Sequence, residues 1–137
     1  MAKKFAIILG ILLALFGLLG FMSNPIIGPE KFFHANLAHN LVHLLLGVIL
    51  LAAGLKNESA AGLALKVTAA VYLLLSLLGF VMGTDKLLLG LLAINAADSW
   101  LHLLLAIILF SAGMSAKPTE TMMPPPVQMP PTPPMQP

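Results

Sequence analysis

No cysteine occurs anywhere in the chain, which excludes disulfides, thiolate metal centres and cysteine nucleophiles. Charge is nearly as scarce: 9% of the 137 residues are charged, against 59% hydrophobic, and the formal balance is only +2. A soluble domain of this size needs far more polar surface, and so small and scattered a positive charge gives nucleic acid nothing to hold. Also lacking are a nucleophile paired with a base, a phosphate-cradling glycine loop and a dinucleotide fingerprint. No catalytic residue is assigned, and the expectation is a non-enzymatic protein immersed in lipid.

What the chain does have is long apolar runs. Four of them, roughly Phe5–Met22, Asn36–Leu55, Gly62–Met82 and Leu92–Gly113, approach the about 20 residues a helix needs to cross the hydrocarbon layer. They predict an all-α bundle of four transmembrane helices, one domain over residues 1–116. The first run follows Lys3 and Lys4 in the manner of a secretory signal. It is longer than a signal core and lacks a small-x-small cleavage site, so it is expected to stay as the first span. Asn24-Pro25 and Gly28-Pro29 read as a turn, followed by EKFFHA at the membrane interface. Beyond Ala116 the composition switches to a proline- and methionine-rich tail, residues 117–137, which is expected to be extended or disordered. Met122, Met123, Met129 and Met135 in it read either as soft copper(I) ligands or as apolar pegs for docking on another subunit.

The chain repeats itself. NLAHNLVHLLLGVILLAAGL, starting at Asn36, returns from Asn95 as NAADSWLHLLLAIILFSAGM, with half of the paired positions identical and no gap. The offset of 59 residues also lays Leu18-Leu19-Gly20-Phe21 on Leu77-Leu78-Gly79-Phe80, giving repeats over about residues 4–55 and 63–114. Because each repeat holds two helices, the second enters the membrane from the same side as the first. The halves are therefore parallel hairpins related by a pseudo-twofold axis along the membrane normal. The same offset makes Leu87–Ile94 the counterpart of Gly28–Ala35 and starts the fourth helix near Asn95. Lys3, Lys4, Lys56, Lys66 and Lys117 fall on the side of the termini, against Lys31 and Lys86 opposite. This bias places both termini on the cytoplasmic side of a prokaryotic plasma membrane or a thylakoid-type internal membrane.

Polar groups are concentrated at the starts of the second and fourth runs. Asn36, Asn40, His43 and Gly47 share one helical stripe with His39 beside it, and Asp98 and His102 stand four apart on a common face. Such a stripe in lipid must face protein or water. One reading is a hydrogen-bonded clasp joining the halves, in which Asn36, Asn40, Asn95 and Ser99 take part with the histidines and Asp98. A second is ligation: His39, His43, Asp98 and His102 make a feasible set for zinc, copper or iron, all of which imidazole binds. Within it, the matched pair His43 and His102 is also a candidate for haem iron or for chlorophyll magnesium. HNLVH lacks the glutamate of a zincin motif. A proton route is not expected, because no polar group continues the path through the leucine- and isoleucine-rich halves. Tyr72 is expected to pack between helices within reach of the cluster.

The LLGF end of the first helix, NLAHNLVHLLLGV and NAADSWLHLLLA resemble a prokaryotic family of small four-helix integral membrane proteins catalogued as a domain of unknown function. The resemblance covers about residues 5–114. It implies the four-span fold and recurrent polar positions at Asn36, His39, His43, Asn95, Asp98 and His102, and it implies no activity. The chain departs from it at Ala106, where glycine is usual, and in its tail. The leading expectation is a small accessory or scaffold subunit of a larger photosynthetic or respiratory type of membrane complex, contacted through helix faces and tail. The alternative is a metal-, haem- or chlorophyll-binding membrane protein using the His/Asp cluster.

Overall fold

The computed structural model describes residues 1–83 and 87–116. The proline- and methionine-rich tail, and with it Lys86 and Lys117 of the charge pattern, lies outside the described residues. Four helices carry the fold: α1 (Ala2–Leu19), α2 (Leu37–Lys56), α3 (Glu58–Met82) and α4 (Ala96–Met114). At about 1.5 Å of rise per residue, even the shortest, with 18 residues, is long enough to cross a bilayer core with the help of its flanks. All four are apolar enough to do so, and the chain is an integral membrane protein.

The hairpins enter in the same sense. The amino group of Met1 lies 2.6 Å from Glu58 Oε1, so α1 and α3 begin side by side. Gly62 near the start of α3 abuts Ala116 just beyond α4. The two repeats are thus parallel, as the offset requires.

Packing inverts the soluble pattern. The buried residues of α1 are Ala2, Ala6, Gly10, Leu13 and Gly17, a stripe of mostly small side chains in steps of four and three. Large apolar side chains such as Leu45, Leu74, Leu104 and Phe110 point outward, where acyl chains receive them. In lipid the gain comes from backbone approach and close contact rather than from escaping water. The backbones of α1 and α2 approach closely: a Cβ on Gly47 would stand 2.6 Å from the Ala14 amide nitrogen and 2.8 Å from the Gly10 carbonyl oxygen. The second repeat places Ala69 and Ala106 at the corresponding positions, both buried.

The segments between the helices of each hairpin are folded, not spare chain. In the first, β1 (Ile27–Gly28) pairs in parallel with β2 (Phe33–His34), and Asn24 Oδ1 accepts from the amides of Ile26 and Ile27 at 2.9 and 2.7 Å. In the second, Leu88 and Leu92 form a bridge. Each contains the same turn, Lys31 N–H donating to Gly28 O at 3.2 Å and Gly90 N–H to Leu87 O at 3.0 Å. The residue preceding each donor is left-handed, Glu30 at φ 57° and Leu89 at φ 54°. Such a conformation costs a non-glycine residue about 1–2 kcal/mol, and its recurrence at the 59-residue offset marks it as a property of the repeat. Leu87–Ile94 is accordingly non-helical, and α4 opens at its N-cap, Asn95.

Because the atoms facing Gly47 are backbone, they cannot swing aside. Gly47→Val is expected to lower stability by about 1–3 kcal/mol, the usual range for overpacking, in reversible unfolding in mixed micelles. The same enlargement on the lipid face, Val48→Leu, is expected to be neutral, and equal effects would contradict the packing described.

Candidate metal centre

The ends of α2 and α4 farthest from the termini are built alike and tied to each other. Asn36 caps α2, its Oδ1 accepting from His39 N–H at 3.0 Å, and Asn95 caps α4, its Oδ1 accepting from Asp98 N–H at 3.0 Å. Both amides then use their nitrogens across the pseudo-twofold axis. Asn36 Nδ2 donates to Leu91 O at 2.8 Å, and Asn95 Nδ2 donates to Phe32 O at 2.9 Å. Leu91 and Phe32 are themselves counterparts at the 59-residue offset.

A second exchange lies beside the first. His39 Nδ1 sits 2.6 Å from Ala93 O, and at the matching place in the other half Asp98 Oδ2 accepts from His34 N–H at 2.9 Å. Asp98 Oδ2 also accepts from Asn95 N–H at 2.9 Å, closing a capping box. The aspartate is therefore occupied as a cap and as a tie between halves, and it stands outside the group of ligating atoms described next.

Three imidazoles meet inside. His39, His43 and His102 are 3%, 4% and 1% exposed, and one ligand atom from each lies within 4.8 Å of the other two. The ring centroids of His43 and His102 are 5.9 Å apart, those of His39 and His102 5.8 Å, and those of His39 and His43 4.7 Å. Tyr72, fully buried, stacks on His102 at 4.9 Å and 17°.

A carbonyl oxygen only accepts, so the His39 nitrogen facing Ala93 carries a hydrogen, which in the neutral tautomer leaves the lone pair on Nε2. That Nε2 has no partner among the described residues, nor do His43 Nε2, His102 Nδ1 and the Tyr72 hydroxyl. A buried polar group left unsatisfied costs about 1–3 kcal/mol. His39, His43 and His102 form a group that could hold a metal ion, with His39 already oriented by an outer hydrogen bond as metal-binding histidines are.

Of the sequence candidates, then, His39, His43 and His102 come together, and Asp98 is drawn into the cap. Asn36 and Asn95 join the halves through backbone carbonyls of the opposite segment rather than through one another. Asn40 and Ser99 act within their own hairpins: a Cβ on Gly20 would strike the Asn40 side chain, one on Gly79 would strike the Ser99 hydroxyl, and Ser76 Oγ donates to Ser99 O at 2.8 Å. Sequence reasoning underweighted Tyr72, whose position on the small-residue face of α3 was the available signal. It missed the main-chain roles of Phe32, His34, Leu91 and Ala93, for which side-chain types give no signal.

The arrangement defines a class: a four-helix membrane protein of two parallel hairpins with a buried three-histidine cluster between them. The family described as a domain of unknown function (DUF4383) matches residues 3–115, and the chain belongs to it. No curated protein and no solved structure matches the chain.

If the crossed amides hold the halves together, Asn36→Ala and Asn95→Ala each lose a cap and a tie. Each is expected to cost about 1–2 kcal/mol, the upper part of the N-cap range, in the same unfolding assay. Ser111→Ala, which removes only a hydroxyl bonded within its own helix, is expected to change little. A neutral Asn95→Ala would contradict the assignment.

Proposed function

We propose that the protein binds a single zinc or copper ion between its two halves, through His39, His43 and His102. The observation that supports this reading is that three buried imidazoles each offer a ligand atom within 4.8 Å of the other two, while His39 Nε2, His43 Nε2 and His102 Nδ1 have no partner among the described residues. Imidazole is a ligand for both metals, whereas calcium and magnesium demand oxygen donors. An ion about 2.0–2.1 Å from each nitrogen brings the three to about 3.3 Å from one another in tetrahedral geometry. Binding thus shortens the separations between ligand atoms by up to about 1.5 Å from the 4.8 Å described. The Tyr72 phenol and the nearby Asp98 carboxylate lie where they offset part of the cost of holding a cation in a low-dielectric interior.

A single ion suits the space better than a macrocycle. The three rings touch one another, and Tyr72 covers a face of His102, so His43 and His102 present no slot for a haem or chlorophyll between them. The protein is read as a binding protein without catalysis of its own. An accessory role in a larger complex rests on the exposed apolar helix faces, which lipid covers equally well. Among the described lysines, Lys3, Lys4, Lys56 and Lys66 against Lys31 favour termini on the cytoplasmic side.

Elemental analysis of protein purified in mild detergent without chelator, with zinc or copper restored by dialysis, is expected to give one ion per chain. His43→Ala and His102→Ala are expected to lose it. Asp98→Ala is expected to keep it at reduced stability, which separates the three-histidine site from a four-ligand set that includes the carboxylate. Metal no higher in the wild type than in the histidine variants would overturn the proposal.

A further inference from the structure

The two halves differ beside their matched histidines. Tyr72 lies flat on the His102 ring, with centroids 4.9 Å apart, and meets His43 only edge-on at 6.0 Å. The counterpart of Tyr72 at the 59-residue offset is Leu13, and next to His43 there is instead a cavity of about 290 Å³ between α1 and α4. Phe16, Phe33, Leu101 and Leu105 are among its walls, and His43 is the one polar residue lining it. Leu12, 55% exposed, forms part of the rim, so the opening faces acyl chains rather than water.

We infer that this cavity is a lateral binding site for a membrane-dissolved quinone, with the His43 ring donating a hydrogen bond to a quinone carbonyl. The inference rests on the metal reading in one respect: an ion on His43 Nε2, which is buried without a partner among the described residues, leaves Nδ1–H as the group available to the cavity that His43 lines. A donor calls for an accepting oxygen. No charged side chain lines the space, so an ionic headgroup would be buried unpaired at a cost of several kcal/mol, and the occupant is neutral. Phe16 meets Phe33 edge-on at 5.5 Å and 66° and approaches His43 at 5.3 Å, an aromatic setting that suits a flat ring. The volume is at the small end for ligand pockets: it takes a ring head and leaves the tail in the bilayer.

The test is photolabelling of the full chain in nanodiscs with a decyl-tailed azidobenzoquinone, peptide mapping of the label, and metal analysis on the same sample. Label is expected on the α1 segment around Leu9–Phe16 and the α4 segment around Leu101–Leu105, displaced by excess decylbenzoquinone and not by decanol. Leu13→Tyr, which installs the residue of the second half, is expected to reduce specific labelling at least tenfold with one ion per chain retained. Leu105→Phe, which fills the cavity from α4, is a second variant with the same expected loss in case the first does not fold. Label spread evenly over the four helices, equal displacement by decanol, or labelling unchanged in both variants would overturn the inference. Metal retained without specific labelling overturns this inference alone, whereas specific labelling on protein that holds no metal overturns the metal reading and leaves the cavity assignment standing on the neutral Nδ1–H form of His43.

Discussion

The crossed amides of Asn36 and Asn95 hold the molecule's geometry. Each caps its own helix with an oxygen and reaches with its nitrogen for a carbonyl in the other half, Leu91 O and Phe32 O respectively. Irregular backbone near the hydrocarbon layer is tolerated only when protein satisfies its polar groups. Here each interfacial segment is satisfied by the opposite repeat. The exchange fixes the rotation of α2 and α4 about their axes, and that rotation carries the imidazoles inward. The small-residue stripes choose which faces pack within a hairpin, and the crossed amides add the tie between the two halves.

On this nearly symmetric frame, the chemistry comes from the places where the halves disagree. At one pair of positions the first half has a histidine that donates to Ala93 O and the second an aspartate that accepts from His34 N–H. The same cross-repeat contact is made with opposite polarity, and the result is three imidazoles inside the bundle with the carboxylate in a cap. At another, Leu13 faces Tyr72 across the pseudo-twofold relation, so one matched histidine is covered and the other borders a cavity. The duplication supplies matched depth and orientation, and divergence between the copies supplies a site with distinct sides.

Much of this was legible in the sequence because lipid imposes simple rules. Long apolar runs had to be helices, and the ungapped offset had to give parallel hairpins. Polar residues at matched positions had to lie at matching depth and face protein or water. The start of α4 at Asn95 also followed, since the repeat divided an apolar run too long for one helix. What stayed hidden was carried by backbone. The left-handed turn residues Glu30 and Leu89 are types that give no turn signal, and the carbonyls of Phe32, Leu91 and Ala93 leave no trace in residue identity. Asp98 looked like a ligand because the helix start was known but its capping geometry was not. Tyr72 looked like packing because only coordinates place its ring on His102.

In the proposed site three imidazoles converge on one ion and Asp98 is left out. X-ray absorption spectroscopy of the zinc-loaded full chain in nanodiscs tests it most directly. The account predicts multiple-scattering features of three histidine rings with nitrogen at about 2.0–2.1 Å, unchanged in Asp98→Asn. A first shell of oxygen without imidazole scattering, or one that loses a ligand in Asp98→Asn, would contradict it.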